Sequence, residues 1–306
     1  MSKIGLALGG GGAKGFAHIG VIRALEEMNI RAEIITGTSM GGLLGAMYAA
    51  GLSADRIEAI VRSTGLTILA AREPSHLGLF GKSKIERVLQ DVLGDVTFDR
   101  LDRKLAMVAV DLESEAEVVL DSGRVVDAIL ATTAFPGVFA PEVAGGRYLI
   151  DGGALNNVPF DVARQMGADW VIASNVSAHR GPVFQNPLLT GSGAESWVRQ
   201  LLLRSGAMTP WEVVERTLAI MLDGRLQDKL AACPPDVMLC PEVGHVGLFD
   251  VGQLDSCLAA GRAAVREHEA ELASLRDRAA QPPSLYSAPP PSLWMRLRDW
   301  IRGKRG

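Results

Sequence analysis

The stretch KIGLALGGGGAKGFAHIGVIRALEEM, residues 3–28, decides how the fold begins. Its first part, KIGLAL, is short and apolar and therefore predicts a buried strand. From Ala17 to Met28 the apolar residues recur with the spacing of one helix face, which predicts an α-helix. Four consecutive glycines, residues 9–12, join the two elements. Backbone N–H groups exposed in such a turn can bind a phosphate, a dinucleotide pyrophosphate or an oxyanion that develops during catalysis.

The rest of the chain continues this alternation of strands and helices. A second strand, EIIT (33–36), leads through GTSMGG into the helix LLGAMYAAG (43–51). The further predicted strands are KLAMVAVDL (104–112), EAEVVL (115–120), GRYLIDGG (146–153) and ADWVIASNVS (168–177), and the helices between them are VVDAILATTA (125–134) and VPFDVARQMGA (158–168). Such alternation predicts an α/β fold with a mostly parallel central sheet flanked by helices on both faces. LDSCLAAGRAAVREHEAELASLRDR (254–278) is predicted to form one long final helix.

Composition and charge exclude several classes of protein. The formal net charge of −4 over 306 residues argues against a general nucleic-acid-binding protein, because such proteins usually present a basic surface. Cys233, Cys240 and Cys257 have no CxxC spacing, so inert thiols in a reducing compartment are expected rather than a disulfide framework or a zinc site. No signal peptide or membrane-spanning apolar segment is recognised, which predicts a cytoplasmic chain. No acidic loop with calcium-ligand spacing appears, and no metal or other cofactor is expected.

The segment GTSMG, residues 37–41, fits the pattern GxSxG. In this pattern a serine lies on a sharp turn between a strand and a helix, and the two glycines make room for the turn. The predicted strand before Gly37 and the predicted helix after Gly41 provide this context. Ser39 is therefore a candidate nucleophile, and the N-terminus of the following helix would stabilise negative charge beside it.

A serine hydroxyl needs a base that accepts its proton. The chain contains the histidines His18, His76, His179, His245 and His268. Only His245, in PEVGHVGLFD, has a suitable position near a strand end. Asp151 is better placed, because it ends a predicted strand and Gly152 and Gly153 let the chain turn away there. An ordinary aspartate pKa of about 3.9 makes a weak base, so we expect burial to raise the pKa of Asp151.

The glycine run fits the same chemistry. Gly10, Gly11 and Gly12 would present consecutive N–H donors to the oxyanion of a tetrahedral intermediate, with the charge of Lys14 behind them. Four segments in this order then resemble the patatin-like phospholipases, particularly the bacterial branch similar to the catalytic domain of neuropathy target esterase. These segments are GGGGAKGFAHIGVIRALEE, GTSMGG, ATTAFPGVFAPEVAGGRYLIDGGALNNVPFDVARQMGAD and PEVGHVGLFDVGQLDSCLAAGRAAV. The resemblance extends from about residue 3 to about residue 266.

The resemblance implies a three-layer fold related to the α/β-hydrolases and a definite activity. The protein would be a lipid acyl hydrolase of phospholipase A or lysophospholipase type, with Ser39 as nucleophile and Asp151 as proton acceptor of a Ser-Asp dyad. The oxyanion motif of the family would fall on Gly10, Gly11, Gly12, Lys14 and Gly15, and the supporting glycines would be Gly37, Gly41, Gly152 and Gly153. No histidine, metal or cofactor is implied, and the substrate would be a lipid ester.

Two other functions stay open at this point. GGGAKG, residues 10–15, fits the GxGxxG pattern of nucleotide-binding proteins. The acidic residue that this reading requires would have to be Glu33, which is predicted at the start of the second strand rather than at its end. A catalytically silent binding or adaptor protein could also retain the same fold.

The sequence also predicts how the chain is divided. A catalytic domain is expected over residues 3–275, with its core motifs in 5–166. Residues 179–230 combine loop composition with apolar helical stretches and form either a helical lid or outer helices of the sheet. Residues 281–292 are rich in proline and predict an extended linker. The tail LWMRLRDWIRGKRG (293–306) has apolar and basic residues at helical spacing, which fits peripheral docking to an anionic membrane. A disordered tail, or one packed on its own domain, is the alternative that stays open.

Overall fold

The structure, a computed structural model, describes residues 2–70, 83–178 and 224–281. Its strands are β1 (Ile4–Leu8), β2 (Ile34–Thr38), β3 (Lys104–Asp111), β4 (Ala116–Leu120), β5 (Glu142–Ala144), β6 (Arg147–Asp151), β7 (Trp170–Ser174) and β8 (Val237–Leu239). Its α-helices are α1 (Ala17–Glu27), α2 (Met40–Ala49), α3 (Ala54–Ala70), α4 (Ser83–Leu93), α5 (Val125–Thr132), α6 (Phe160–Gln165), α7 (224–232), α8 (Leu254–Glu267) and α9 (Glu269–Ala279).

The strands form one mixed sheet in the order β5-β6-β3-β2-β1-β7-β8, and β4 also pairs with β3. Five adjacent strands are parallel to one another: β3, β2, β1, β7 and β8. The pairings of β4 with β3, of β6 with β3 and of β5 with β6 are antiparallel. The predicted α/β fold with a mostly parallel sheet is confirmed, and the antiparallel strands are confined to one edge of it.

Helices cover both faces of this sheet. On one face, Leu6 and Leu8 of β1 pack with apolar side chains of α1, α2 and α8. On the other face, Ala7 of β1 packs with Phe160 and Ala163 of α6. Because side chains alternate along a strand, an apolar sequence without alternation is what a strand buried on both faces requires.

The helix that follows the glycine run is held tightly against α8. Gly20 of α1 lies on the backbone of Leu258, and Gly261 of α8 lies on the carbonyl of Ala17, with no room for a Cβ atom at either glycine. The two helix backbones are therefore in direct contact. This contact fixes α1, and with it the end of the glycine turn, on the sheet.

The prediction of one long final helix was wrong. His268, with φ −109° and ψ 19°, separates α8 from α9. After this break α9 buries Leu272 and Leu275 in the core. The helical periodicity of the sequence continues through His268, and so it concealed the change of direction.

Several sequence predictions concern residues outside the described ranges. They are residues 179–223 of the predicted lid (179–230), residues 282–292 of the predicted linker (281–292), the tail 293–306, and the positions of His76 and His179. The last part of the predicted lid, residues 224–230, lies in α7. Within the described ranges, no helix is both long and apolar enough to cross a bilayer.

Candidate active site

The two candidate catalytic residues come from strands that meet end to end beside β3. Thr38 of β2 pairs with Val108 of β3, and Asp151 of β6 pairs with Ala109, the next residue of β3. β4 pairs with the second half of β3 and overlaps both pairings, so β4 lies on one side of β3 while β2 and β6 share the other. Since β2 runs parallel and β6 antiparallel to β3, their C-terminal ends face each other. The topology of the sheet thus brings Ser39 and Asp151 together.

Ser39 lies on a strained turn between β2 and α2. Its backbone has φ 54° and ψ −125°, a conformation that non-glycine residues rarely adopt. A Cβ atom on Gly37 would lie 2.6 Å from the carbonyl oxygen of Gly41, and one on Gly41 would overlap the carbonyl of Leu8. The two glycines of GxSxG are therefore needed for close packing of the turn. Ser39 itself stays half-buried at the start of α2.

The hydroxyl of Thr132, at the end of α5, supports the strained residue. The Ser39 N–H donates to Thr132 Oγ1 at 2.9 Å, and this hydroxyl donates in turn to the Val108 carbonyl at 2.5 Å. Thr132 is fully buried. Its hydroxyl therefore links Ser39 to β3 at the point where β2 leaves the sheet.

Asp151 is a buried carboxylate with one unsatisfied oxygen. Its Oδ1 accepts the Gly153 N–H at 2.8 Å, whereas the buried Oδ2 has no hydrogen-bond partner of normal geometry among the described residues. Burial raises the pKa of Asp151 to about 6, opposed by the Ser39 hydroxyl and the Gly153 N–H. Ser39 is thus close enough to lower this pKa, although the pair does not reach full hydrogen-bond geometry. The expected effect of burial on Asp151 is confirmed.

The backbone of the glycine run lies close to Ser39. A Cβ atom on Gly10 would lie 3.2 Å from the Cβ atom of Ser39. The N–H of Gly10 donates to the carbonyl of Asn157 at 3.0 Å and is therefore not free to bind an oxyanion. In the described parts of the chain, the N–H groups of Gly11 and Gly12 have no acceptor. The structure therefore leaves these two groups, rather than all three, as available donors.

Three other motif glycines are fixed by close contacts. Gly12, with φ 56°, lies on Leu248, Gly15 lies on the side chain of Met40, and Gly152 lies on the carbonyl of Val108. A Cβ atom would overlap its neighbour at each position. Gly12 and Gly15 thus pack the glycine-rich segment against Leu248 and Met40, and Gly152 packs the segment after Asp151 against β3.

Lys14 lies behind the glycine turn. Its N–H donates to the Gly11 carbonyl at 3.2 Å. Burial, and to a smaller extent Asp250, raises the pKa of Cys257 in α8 to about 12. The positive charge of Lys14 opposes this increase. All three cysteines of the chain are free thiols. Lys14 therefore contacts the glycine turn through its backbone and lies close enough to α8 for its charge to act on Cys257.

Two histidines of the described ranges occupy supporting positions. His18 is fully buried, with Nε2 2.7 Å from the Gly9 carbonyl and Nδ1 3.1 Å from Ser174 Oγ. Burial lowers the pKa of His18 to about 4, against the raising effect of the bond to Gly9, so it is neutral at pH 7. His245 is exposed, and its Nε2 lies 2.8 Å from Ser256 Oγ. The candidate third member of a triad is thus engaged with α8.

Glu33 bears on the nucleotide-binding alternative. Its Oε2 accepts the Ile4 N–H at 2.8 Å, at the N-terminal end of β1. The glycine turn follows the opposite end of that strand. Glu33 is therefore not placed to bind a ribose whose phosphates lie on the glycines.

Sequence reasoning missed three polar side chains of the site: Thr132, Asn157 and Ser177. Thr132 contacts Ser39 across 93 residues of sequence, and Ser177 contacts Gly10 across 167. Neither belongs to a spacing pattern with a known chemistry. Asn157 lies close behind the DGG segment, but only the folded structure shows that it bonds to the glycine turn.

Comparison with known proteins identifies the family of the chain. A family model described as patatin-like phospholipase matches residues 6–164, more than half of the chain. The chain belongs to this family. The matched range contains the glycine turn, Ser39 and Asp151, so the candidate site of this patatin-like protein lies within the family domain.

The relatives include bacterial and animal proteins. An uncharacterized NTE family protein of Mycobacterium tuberculosis is 37% identical over 183 residues, which cover 59% of this chain and 51% of that protein. Human patatin-like phospholipase domain-containing protein 6 is 34% identical over 185 residues, 58% of this chain and 14% of that protein. An uncharacterized NTE family protein of Mycobacterium bovis is 28% identical over 272 residues, 86% of this chain and 46% of that protein. The chain spans about half the length of the mycobacterial relatives it matches.

A solved structure supports the fold independently. VipD from Legionella pneumophila matches with a TM-score of 0.56 and 13% identity, covering 90% of this chain and 67% of that one. At this identity the likeness concerns the fold alone, and it confirms the α/β architecture.

Proposed function

We propose that this patatin-like protein is a serine acyl hydrolase that cleaves carboxylic esters of lipids, with Ser39 as nucleophile and Asp151 as general base. The observation that carries the proposal is the meeting of a serine on a strained turn with a buried carboxylate whose pKa is about 6. A carboxylate of this pKa is mostly ionised at pH 7 and is a stronger base than an ordinary aspartate. Family membership supports a lipid ester as the substrate class.

Acylation begins when Ser39 Oγ attacks the carbonyl carbon of the ester. Asp151 Oδ2, the oxygen that has no other partner in the described ranges, accepts the hydroxyl proton as the new C–O bond forms. The N–H groups of Gly11 and Gly12 and the N-terminus of α2 stabilise the resulting oxyanion. When the intermediate collapses, the ester C–O bond breaks and protonated Asp151 gives its proton to the leaving alcohol oxygen.

Deacylation repeats these steps with water. Asp151 accepts a proton from the water that attacks the acyl-Ser39 carbonyl, and the same donors bind the second oxyanion. Ser39 Oγ then leaves and takes the proton from Asp151, which releases the fatty acid. The two steps need no base other than this one carboxylate.

The finer type of activity is also a proposal. We infer phospholipase A or lysophospholipase activity from the family, because the catalytic groups treat every carboxylic ester alike and the substrate-binding surface selects the lipid. Peripheral membrane binding through residues 293–306 is supported by their basic and apolar residues at helical spacing. Deletion of residues 282–306 is expected to abolish binding to anionic liposomes, and unchanged binding would contradict this part of the proposal.

Labelling with a fluorophosphonate probe tests the central proposal. Wild-type protein is expected to form one adduct on Ser39, with none in Ser39→Ala and slow labelling in Asp151→Asn. Ser114→Ala is the matched control, because Ser114 is another serine next to an aspartate: its hydroxyl donates to Asp111 at 2.7 Å. No labelling of folded wild-type protein would contradict the proposal and favour a catalytically silent binding protein. Positive labelling would be followed by a panel of phospholipids, lysophospholipids and acylglycerols.

A further inference from the structure

Three carbonyl oxygens of the glycine turn, those of Gly9, Gly10 and Gly11, accept hydrogen bonds from described residues. Gly9 O bonds to His18 Nε2 at 2.7 Å, Gly10 O accepts from Ser177 Oγ at 2.8 Å and Asn157 Nδ2 at 3.3 Å, and Gly11 O accepts from the Lys14 N–H at 3.2 Å. Gly10 O is the one that receives two side-chain donors from outside the turn. This arrangement bears on the direction of the available N–H groups.

Because a peptide group is planar, hydrogen bonds that fix the direction of its C=O bond also fix the direction of its N–H bond. A trans peptide is planar, and its C=O and N–H bonds point in opposite directions. The carbonyl of Gly10 and the N–H of Gly11 belong to the same peptide. Donors that hold Gly10 O therefore also set the direction of the Gly11 N–H, which leaves the peptide on the opposite side.

The two donors on Gly10 O are themselves held in place. Asn157 Nδ2 also donates to Ser177 Oγ at 3.2 Å, and the Ser177 N–H donates to Asn175 Oδ1 at 3.0 Å. The backbone of Asn157 accepts the Gly10 N–H. The pair Asn157 and Ser177, here called the Gly10 clamp, thus contacts the peptide groups on both sides of Gly10.

We propose that the Gly10 clamp positions the oxyanion hole, by aiming the Gly11 N–H at the oxyanion that forms beside Ser39. The inference rests on the proposed serine hydrolase function. Gly10 lies against Ser39, so rotation of the peptide that follows it would displace the nearest available donor from the reacting carbonyl. Asn157 and Ser177 act through the backbone and are positioning residues.

The clamp should affect the transition state more than the ground state. The oxyanion exists only after Ser39 has attacked, so a misdirected Gly11 N–H lowers kcat and leaves the KM nearly unchanged. Loss of one complete oxyanion donor lowers kcat by about 10²–10³-fold. Loss of one clamp side chain leaves the donor present but less well directed, so we expect a smaller decrease, of about tenfold.

The variants Ser177→Ala and Asn157→Leu each remove one donor to Gly10 O, and Ser177→Thr keeps the hydroxyl. The matched control is Thr36→Val, because Thr36 Oγ1 donates to the Pro159 carbonyl at 2.9 Å in the same layer of the fold. This control removes a buried hydroxyl bond to a backbone carbonyl without touching the glycine turn. It is expected to lower the Tm and to leave kcat at the wild-type value.

Two inhibitors separate positioning from general damage. A trifluoromethyl ketone analogue of the ester forms a tetrahedral oxyanion adduct with an active serine, whereas the matching secondary alcohol cannot. Ser177→Ala and Asn157→Leu are expected to weaken inhibition by the ketone by the same factor as kcat. Binding of the alcohol and the KM should stay within about threefold, and Ser177→Thr should restore kcat and ketone inhibition.

Other outcomes contradict the clamp in distinct ways. Unchanged kcat and ketone inhibition in both variants would overturn it, as would equal losses for the ketone and the alcohol or an equal loss in Thr36→Val. If folded wild-type protein neither reacts with the fluorophosphonate nor binds the ketone more tightly than the alcohol, the proposed function itself fails. The two failures are distinguishable, because failure of the proposed function is seen in the wild-type protein, whereas failure of the clamp is seen only in the variants.

Discussion

Two Ser–Asp pairs lie close together in this sheet, and they differ in the hydrogen bonds that their aspartate oxygens accept. At the turn after β3, Asp111 Oδ2 accepts the Ser114 hydroxyl at 2.7 Å, and Oδ1 accepts the Glu113 N–H at 3.2 Å. At the end of β6, Asp151 has one satisfied oxygen and one without a partner of normal geometry in the described ranges. The exposed fractions are nearly equal, 4% for Asp111 and 3% for Asp151.

The electrostatics of the two carboxyls are opposite. The hydroxyl of Ser114 and neighbouring N–H groups lower the pKa of Asp111 and outweigh its desolvation. Burial raises the pKa of Asp151 to about 6 because its hydrogen bonds are too few to compensate. Two aspartates that are buried alike and each lie next to a serine therefore have pKa values shifted in opposite directions.

The largest expected effect is the difference in kcat/KM between the variants Asp151→Asn and Asp111→Asn. Asp151→Asn should lower kcat/KM for an ester substrate by about 10³-fold, because the general base is lost. Asp111→Asn should leave kcat/KM within about twofold, because Asp111 is already satisfied by its own turn. Steady-state kinetics with a soluble ester measures both. Equal losses in the two variants would show that the pairs do not differ in function.

The next largest effect is expected from the hydrogen bond between the Ser39 N–H and the Thr132 hydroxyl. Ser114 lies in an exposed turn, whereas Ser39 depends on the Thr132 hydroxyl for its N–H bond. Thr132→Val keeps the shape but leaves the Ser39 N–H and the Val108 carbonyl without this link, and should lower kcat by about tenfold. Thr132→Ser should keep most of the activity. A Thr132→Val variant with normal rates of fluorophosphonate labelling would contradict this role.

The pH dependence follows from the raised pKa of Asp151. The active form is the carboxylate, so kcat/KM should be half its plateau value near pH 6 and lower by about tenfold at pH 5. A base with the ordinary aspartate pKa would keep its activity down to about pH 4. A plateau that extends below pH 5 would mean that burial does not control the base.

The sequence predicted the elements and residues whose signals are local. β1, α1, β2 and α2 have strong periodicity or continuous apolar runs, and they appear as expected. β5 and β8 have three residues each, which is too short for a periodic pattern, and they were missed. Ser39 and Asp151 could be named because each lies in a short motif at a strand end, although their roles remain proposals.

The parts of the site that sequence could not predict depend on tertiary pairing. Gly10 looks identical to Gly11 and Gly12 in sequence, yet its N–H is taken by Asn157 because of how the two loops meet. Thr132 and Ser177 become neighbours of the catalytic turn only after β3 and β7 have paired with the strands beside them. No propensity or spacing rule carries such information.

The smallest expected effect concerns stability, and it has opposite signs in the two pairs. The folded-state pKa of Asp151 is above its ordinary value of 3.8, so its stabilising effect is present at low pH and is lost as the pH rises through about 6. At pH 7 the folded protein therefore holds an unfavourable buried charge. Asp151→Asn removes that charge and should raise the free energy of unfolding at pH 7 by on the order of 1–3 kcal/mol.

Asp111 behaves in the reverse way. Its pKa is lowered by folding, so its stabilisation is present above the ordinary pKa and is lost only as the pH falls through the lowered value. Asp111→Asn should therefore lower the Tm at pH 7, while Asp151→Asn raises it, and the gain from Asp151→Asn should shrink between pH 6 and pH 4. Thermal unfolding at these pH values measures both signs. A lower Tm for Asp151→Asn at pH 7 would mean that folding stabilises the Asp151 carboxylate as it does that of Asp111, and the proposed role of Asp151 as a base would lose its physical support.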